Sequence, residues 1–150
     1  MTPAKIATLC AAIALALAWP ARGDAPPGRY TYPMDGIVND TKTKLSWQRA
    51  PDAMQRIQFD AQSYCSSLTL ASGGWRLPTR AELLSLADRS RRAPAIDPTA
   101  FPDTPTGGFW TSTPGVDTFG SFWAASFDEG TAYPNASTNQ FYVRCVRATR

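Results

Sequence analysis

Apolar residues recur along the chain at spacings that predict helices and strands. Ala61, Cys65 and Leu68 lie at i, i+4 and i+7, which predicts a helix over residues 59–70 with Cys65 on its buried face. The Ser-Gly-Gly sequence at residues 72–74 ends this helix, because glycine adopts the left-handed backbone conformation freely.

Short apolar runs predict strands on both sides of this helical region. They fall at residues 37–40, 43–47, 109–112, 122–127 and 141–147, with an irregular, proline-rich stretch at 89–108. In the last run, alternation places Phe141, Val143 and Cys145 on the core face and Tyr142 and Arg144 on the opposite face. The order of strands, helices, a long loop and further strands predicts an α+β fold.

The sequence GWRLPTRAEL at residues 74–83 predicts the start of a second helix. Thr79 and Glu82 have the spacing of a capping box, in which the Thr79 hydroxyl accepts from the Glu82 amide and the Glu82 carboxylate accepts from the Thr79 amide. Pro78 disfavours helix before it, so we expect the helix to begin at Arg80. The leucines that follow continue the apolar stripe to about residue 88.

The first 23 residues predict a signal peptide. Lys5 precedes an apolar run over residues 6–19, and small residues follow where a signal peptidase cleaves. The run is shorter than the ~20 residues that span a bilayer, so no membrane span is expected after cleavage; a retained N-terminal anchor is the alternative. We therefore expect an exported protein (periplasmic, extracellular or at the cell surface) with an extended leader at 24–36 and a single domain at 37–150.

Removal of the signal peptide changes the charge and the cysteine count. It takes away Lys5 and Arg22 but no acidic residue, so the net charge falls from +3 to +1. A general nucleic-acid-binding protein would carry a larger positive surplus, and we expect no nucleic-acid partner. Cys10 is also lost. In an oxidising compartment the remaining Cys65 and Cys145 favour a disulfide, with a reactive thiol or a metal pair as the alternative.

The composition excludes several classes of enzyme. The chain has no histidine, which removes Ser/His and Cys/His nucleophile pairs and histidine metal sites. Phosphate-binding loops and dinucleotide fingerprints are absent as well, so no cofactor is expected. The spacing of the acidic residues selects no carboxylate pair for glycoside hydrolysis. We predict that the chain is not an enzyme.

Five acidic residues are candidates either for a calcium site or for turn formation. Asp97, Asp103 and Asp117 lie in the long loop region, and Asp128 and Glu129 lie in a turn. Calcium requires several clustered oxygen ligands. Acidic residues are also common in solvated turns, and this interpretation is preferred, so no metal is predicted.

Short motifs spread over nearly all of the mature chain carry a family resemblance. They are Asn39-Asp40, Leu45-Ser46-Trp47-Gln48, residues 61–65, residues 74–79 with Glu82-Leu83, Phe101-Pro102, Phe109-Trp110-Thr111-Ser112 and residues 143–147. In order and spacing they resemble the bacterial family typified by the C-terminal domain of the Legionella collagen-like adhesin, which is similar in fold to C-type lectins. The resemblance implies export, two helices packed on a twisted antiparallel sheet with long irregular loops, and a Cys65–Cys145 disulfide. The typifying adhesin binds sulfated polysaccharides, but this chain lacks a collagen-like repeat.

Two features are candidate binding residues. Arg89, Arg91 and Arg92 cluster after the second helix, where they either contact an anionic glycan or stabilise the helix dipole. The remaining tryptophans are predicted to pack in the core, with Trp110 as the one best placed to stack on a sugar ring. Arg144 is expected to pair with a buried carboxylate or backbone carbonyls.

Together these observations predict an exported, non-catalytic binding domain. Its expected partner is a polysaccharide or glycosaminoglycan-like ligand at the cell envelope. The alternative is a structural or protein-interaction module of the cell envelope that binds no small ligand. Fold does not decide between these two functions.

Overall fold

Two antiparallel sheets and two α-helices make up the fold, which is mixed α+β. The computed structural model describes residues 25–116 and 119–149. The predicted signal peptide, including Cys10, and the candidate ligand Asp117 lie outside these residues. Within the described ranges, no helix has the length and apolar character needed to cross a bilayer.

The strands divide between the two sheets by their position in the chain. The first sheet contains β1 (Tyr30–Thr31), β2 (Ile37–Asp40), β3 (Leu45–Gln48) and β7 (Val146–Ala148), side by side in that order. The second sheet contains β4 (Gly108–Pro114), β5 (Ser121–Ser126) and β6 (Thr131–Ala136), also in chain order. All named strand pairs are antiparallel, as the family resemblance implies. The strands form two sheets, however, where one was expected.

The first helix, α1, spans Gln58–Ser67 and buries Ala61 and Cys65, as the apolar spacing predicts. It ends three residues earlier than expected, because Leu68 has an extended backbone. A separate 3₁₀ turn follows at Leu70–Ser72, and the positive φ of 75° at Gly73 then reverses the chain.

The second helix, α2, spans Arg80–Leu84 and begins at the predicted residue. Both hydrogen bonds of the capping box are present, so the roles of Thr79 and Glu82 are confirmed. The helix is shorter than predicted. After Leu84 the amides of residues 86 and 87 donate to carbonyls three residues back, which is the tighter 3₁₀ pattern common at helix ends.

The first strand of the second sheet, β4, has buried residues on both faces, and each face packs against a different helix. Neighbouring residues of β4 point to opposite sides: Phe109 joins a core cluster with Leu83 of α2, and Trp110 joins one with Ala61 and Cys65 of α1. The two helices therefore lie on opposite faces of the same three-stranded sheet. The predicted Cys65–Cys145 disulfide is confirmed, and both of its cysteines are fully buried.

The C-terminal segment does not form the long strand predicted at residues 141–147. Only β7 is a continuous strand there. Before it, Tyr142 pairs with Phe109 of the second sheet, and the segment then crosses to the first sheet, where β7 pairs with β3. Alternation along a single strand therefore does not describe this segment, in which Val143, Arg144 and Cys145 are all buried.

Arg144 fills the space between the two sheets. Its Nη1 atom donates to the carbonyl oxygens of Gln48 (3.1 Å) and Arg49 (2.6 Å), and its Nη2 atom donates to the Thr104 hydroxyl (2.8 Å). Its guanidinium also lies 4.7 Å from the centre of the Phe101 ring. The expectation that Arg144 pairs with backbone carbonyls is confirmed.

The proline-containing stretch before β2 adds to the first sheet. Tyr30 and Thr31 pair with the end of β2, and Tyr30 packs edge-on against Phe101 at 5.3 Å between ring centres. Arg29 donates to Asp40 of β2 at 2.8 Å. This stretch therefore contributes side chains to the core as well as a short strand.

Candidate functional site

A groove of about 620 Å³ lies between the outer face of α1 and the segment that leads into α2. We call it the α1 groove. Its lining comes from Gln62, Ser63 and Ser66 of α1, from Arg76, Leu77 and Thr79 before α2, and from Ser112 of β4. It is larger than the clefts beside β6 (about 350 Å³) and beside the N-terminal stretch (about 180 Å³).

The backbone of the α1 groove is fixed by pairing with both sheets. Arg76 exchanges two hydrogen bonds of 2.9 Å with Val146 of β7. The Ser112 amide of β4 donates to the Pro78 carbonyl at 2.7 Å. Leu77 is buried between these contacts and forms an apolar part of the wall. The groove wall is therefore held in place before any ligand arrives, which lowers the entropic cost of binding.

Arg76 and Glu82 form a two-bond ion pair at the edge of the α1 groove. The Nη1 and Nη2 atoms of Arg76 donate to the two carboxylate oxygens of Glu82 at 2.8 and 2.6 Å. One of these oxygens also accepts from the Thr79 amide at 2.8 Å, which completes the capping box. The hydrogen bond from Arg76 holds the pKa of Glu82 below its ordinary value, although partial burial acts in the opposite direction.

The serine hydroxyls of the α1 groove all donate to backbone carbonyls. Ser63 donates to Phe59 at 3.1 Å, Ser66 donates to Ser63 at 3.0 Å, and Ser112 donates to Pro78 at 3.3 Å. Since a hydroxyl has one proton and two lone pairs, each of these oxygens presents acceptor sites to the groove.

The comparison with known families decides the classification. The family model named Lcl C-terminal domain matches residues 36–147, which is most of the chain. The chain belongs to the Lcl C-terminal domain family. The matched range includes both disulfide cysteines and every residue that lines the α1 groove. Among the curated proteins, no match was found. Family membership and the disulfide indicate an adhesin-like binding module that is exported.

In this Lcl C-terminal domain, the predicted arginine cluster lies away from the α1 groove. Arg91 donates to Asp88 at 3.2 Å, and Arg92 donates to Glu129 at 3.0 Å across the turn that follows β5. Arg89 is exposed. Two of the three cations therefore have carboxylate partners, so the cluster has less positive charge to offer an anionic ligand than the sequence indicated.

Trp110 is not available for stacking on a sugar. Its side chain is fully buried, its Nε1 atom donates to the Arg56 carbonyl at 2.7 Å, and its ring packs edge-on against Phe141. The assignment of Trp110 as a binding residue is wrong, because α1 covers the face of β4 on which it lies. Trp47 and Trp75 are buried, as predicted.

Two of the candidate calcium ligands, Asp97 and Asp128, accept hydrogen bonds within turns. Asp97 accepts from the amides of Thr99 (2.8 Å) and Ala100 (3.1 Å), and Asp128 accepts from the Ser126 hydroxyl at 3.0 Å. Over residues 25–116 and 119–149, no three acidic or cysteine side chains converge in a way that would hold a metal ion. These contacts are those of turn-forming carboxylates.

Sequence reasoning missed the α1 groove because its residues look ordinary one at a time. Gln62, Ser63 and Ser66 are exposed polar residues of a helix, which usually indicate a solvated face. The one distinguishing feature of this part of α1 is that serines, Ser63 and Ser66, lie on both sides of Cys65. The disulfide at Cys65 is what brings this helix beside the conspicuous Arg76 motif.

Proposed function

We propose that this Lcl C-terminal domain is an exported, non-catalytic module that recognises polysaccharide at the cell envelope through the α1 groove. The lining of the groove carries the proposal: apart from Leu77, which is almost fully buried, its members bear hydroxyl, amide and guanidinium groups. Saccharides present many hydroxyl groups, and hydrogen-bonding side chains of these kinds match them. The volume lies within the range of about 300–1,000 Å³ typical of small-ligand sites. A C-type-lectin-like architecture is part of the same proposal.

The chemistry of Glu82 supports a binding role over a catalytic one. A glycosidase acid must hold a proton near neutral pH, which requires a raised pKa. Glu82 accepts hydrogen bonds from Arg76 and from the Thr79 amide, and its pKa is lowered. The carboxylate at the groove edge therefore stays ionised and serves as an anchor for Arg76.

A glycan array with the mature protein tests the proposal. Ser66→Trp would place a bulky ring in the α1 groove, since Ser66 is exposed and lines it. Ser67→Trp is the matched control, because Ser67 is exposed on the same helix but is not among the lining residues. We expect the wild type and the control to bind the same glycans and Ser66→Trp to lose them. A blank array for the wild type, or equal binding by both variants, would refute the proposal.

A protein-interaction role is the second candidate, and one observation favours it. Val116 and Phe119, in the connection between β4 and β5, are exposed to 79% and completely, respectively. Where exposed apolar side chains form a contiguous patch, they can mark a contact with another protein. This role can be tested with a photo-crosslinker at position 119 and a control crosslinker at position 69, which is also exposed. A discrete adduct with envelope preparations from position 119 alone, together with a blank glycan array, would favour a protein-interaction role.

A further inference from the structure

We infer that the polysaccharide held in the α1 groove is uncharged, a neutral polyhydroxyl chain. The inference rests on the proposed function and goes beyond it by naming the chemical class of the ligand. Three observations carry it: the charge balance of the groove, the direction of its hydroxyl hydrogen bonds, and the local partners of the neighbouring arginines.

The Arg76–Glu82 pair at the edge of the α1 groove has no net charge. Arg76 is the charged member among the described residues that line it, and both of its terminal nitrogens donate to Glu82. Nη1 donates to the Leu77 carbonyl as well, at 3.3 Å. A two-bond arginine–carboxylate pair is strong and geometrically specific. Glu82 already balances the charge of Arg76, so the guanidinium attracts an entering sulfate or carboxylate less strongly than an unpaired arginine would.

The serine hydroxyls of the α1 groove favour ligands that donate hydrogen bonds, whereas the Thr79 hydroxyl accepts from the Glu82 amide and keeps its proton. The protons of Ser63, Ser66 and Ser112 are used on backbone carbonyls, so their oxygens present lone pairs to the ligand. Sulfate and carboxylate groups are themselves acceptors and find no partner in such oxygens. Sugar hydroxyls can donate to them. The amide of Gln62 offers both a donor and an acceptor, which suits the same groups.

The arginines at the two ends of α2 do not supply the missing positive charge. The guanidinium of Arg80 lies 4.1 Å from the centre of the Trp123 ring. Arg91 and Arg92, beyond the other end of α2, contact carboxylates of their own, Asp88 and Glu129. Arg91 and Arg92 are therefore balanced by carboxylates, and Arg80 is held against Trp123, a residue that does not line the α1 groove.

Affinity electrophoresis of the mature protein in gels containing dextran, mannan or heparin tests the inference. We expect retardation by at least one uncharged polymer that does not change between low and high NaCl, because salt screens charge but not neutral hydrogen bonds. Ser66→Ala removes an acceptor and is expected to weaken that binding about three- to tenfold. The control is Ser67→Ala, whose hydroxyl donates to Tyr64 in the same way but does not line the groove.

Glu82→Gln gives a sharper test, because it changes the charge and keeps the helix start. Glutamine can replace glutamate in a capping box, so α2 is expected to persist. The substitution leaves Arg76 without its carboxylate. We expect heparin retention to appear and to vanish at high salt. Glu129→Gln makes the same change in net charge beside Arg92, away from the groove, and is expected to show less retention.

The outcomes distinguish failure of the uncharged-ligand inference from failure of the proposed polysaccharide function. Salt-independent binding to an uncharged polymer supports the inference. Wild-type binding that is confined to heparin and falls with salt overturns it, while the proposed polysaccharide function stands. Binding to none of the polymers, together with a blank glycan array, overturns the proposed function and this inference with it.

Discussion

Arg76 places its two terminal nitrogens 2.8 and 2.6 Å from the two carboxylate oxygens of Glu82, across the start of α2. The same carboxylate caps the helix through the Thr79 amide. Arg76 also pairs through its backbone with Val146 of the first sheet. One short segment thus starts a helix, links it to a sheet and forms the edge of the α1 groove.

The first prediction concerns the capping hydroxyl. Thr79 accepts from the Glu82 amide at 3.2 Å, and removal of an N-cap side chain typically costs about 1 kcal/mol. We expect Thr79→Ala to lower the free energy of unfolding by about this amount in urea denaturation. Thr79→Ser retains the hydroxyl and should stay close to wild type. An equal loss in both variants would show that the methyl group matters and the hydrogen bond does not.

Local features of this fold could be predicted from the sequence because their causes are local. The capping box depends on two residues three positions apart and on the proline before them, so Arg80 was placed correctly as the helix start. The pairing of Cys65 with Cys145 followed from the compartment and from the count of cysteines.

Features that depend on the arrangement of whole elements were not predictable in the same way. Trp110 looked suitable for ligand contact beside a glycine-rich loop, but its burial is decided by α1, which covers that face of β4. The pairing of Arg144 with backbone carbonyls is predicted, but its place between the sheets is not, because the segment predicted as one strand crosses from one sheet to the other. The α1 groove exists because three elements meet, and none of the three indicates it alone.

The second prediction concerns Arg144, whose burial lowers its pKa below the ordinary value. Arg144→Ala would leave the carbonyls of Gln48 and Arg49 and the hydroxyl of Thr104 without their donors. Each unsatisfied buried group costs about 1–3 kcal/mol, so we expect a loss of at least about 3 kcal/mol in urea denaturation. Arg89→Ala, at an exposed position, is the control and should change stability by no more than about 0.5 kcal/mol.

Arg144→Lys separates charge from geometry at the same position. Lysine retains the positive charge but lacks the planar fork that reaches two carbonyls and a hydroxyl at once. We expect most of the destabilisation of Arg144→Ala to persist. If the lysine variant unfolded at the same urea concentration as wild type, the positive charge at position 144, and not the hydrogen-bond geometry, would be what stabilises the fold.

The third prediction concerns the disulfide. Cys65 and Cys145 are separated by 80 positions, and the chain-entropy model gives about 4–5 kcal/mol for closing a loop of this length. That is a large share of the about 5–15 kcal/mol that stabilises a typical domain. We expect the Cys65→Ala/Cys145→Ala double variant to melt well below wild type in calorimetry. The reducing agent dithiothreitol should lower the melting temperature of the wild type and leave that of the double variant unchanged.

The last prediction concerns the response of stability to acid. The Asp40 side chain is fully buried, and burial alone would raise its pKa, but the hydrogen bonds from Arg29 and from the Lys42 amide outweigh this and lower the pKa below its ordinary value of 3.8. A carboxyl whose pKa is lowered by folding stabilises the fold above its unfolded pKa and loses that contribution as the pH falls through the folded value. We therefore expect stability to decline on acidification below 3.8.

Two substitutions test the sign of this effect through melting temperatures measured as a function of pH. Asp40→Asn removes the titrating group, so it should be less stable at neutral pH by about 2 kcal/mol and show a shallower acid decline. Arg29→Gln removes the charged partner of Asp40 and leaves the backbone amides of Lys42 and Thr43 as donors, so the pKa of Asp40 should rise relative to wild type. The difference in stability between this variant and wild type should therefore narrow as the pH falls, because protonation of Asp40 removes the charge that Arg29 stabilises. Parallel acid profiles for the wild type and both variants would contradict the assignment of the acid response to the Arg29–Asp40 pair.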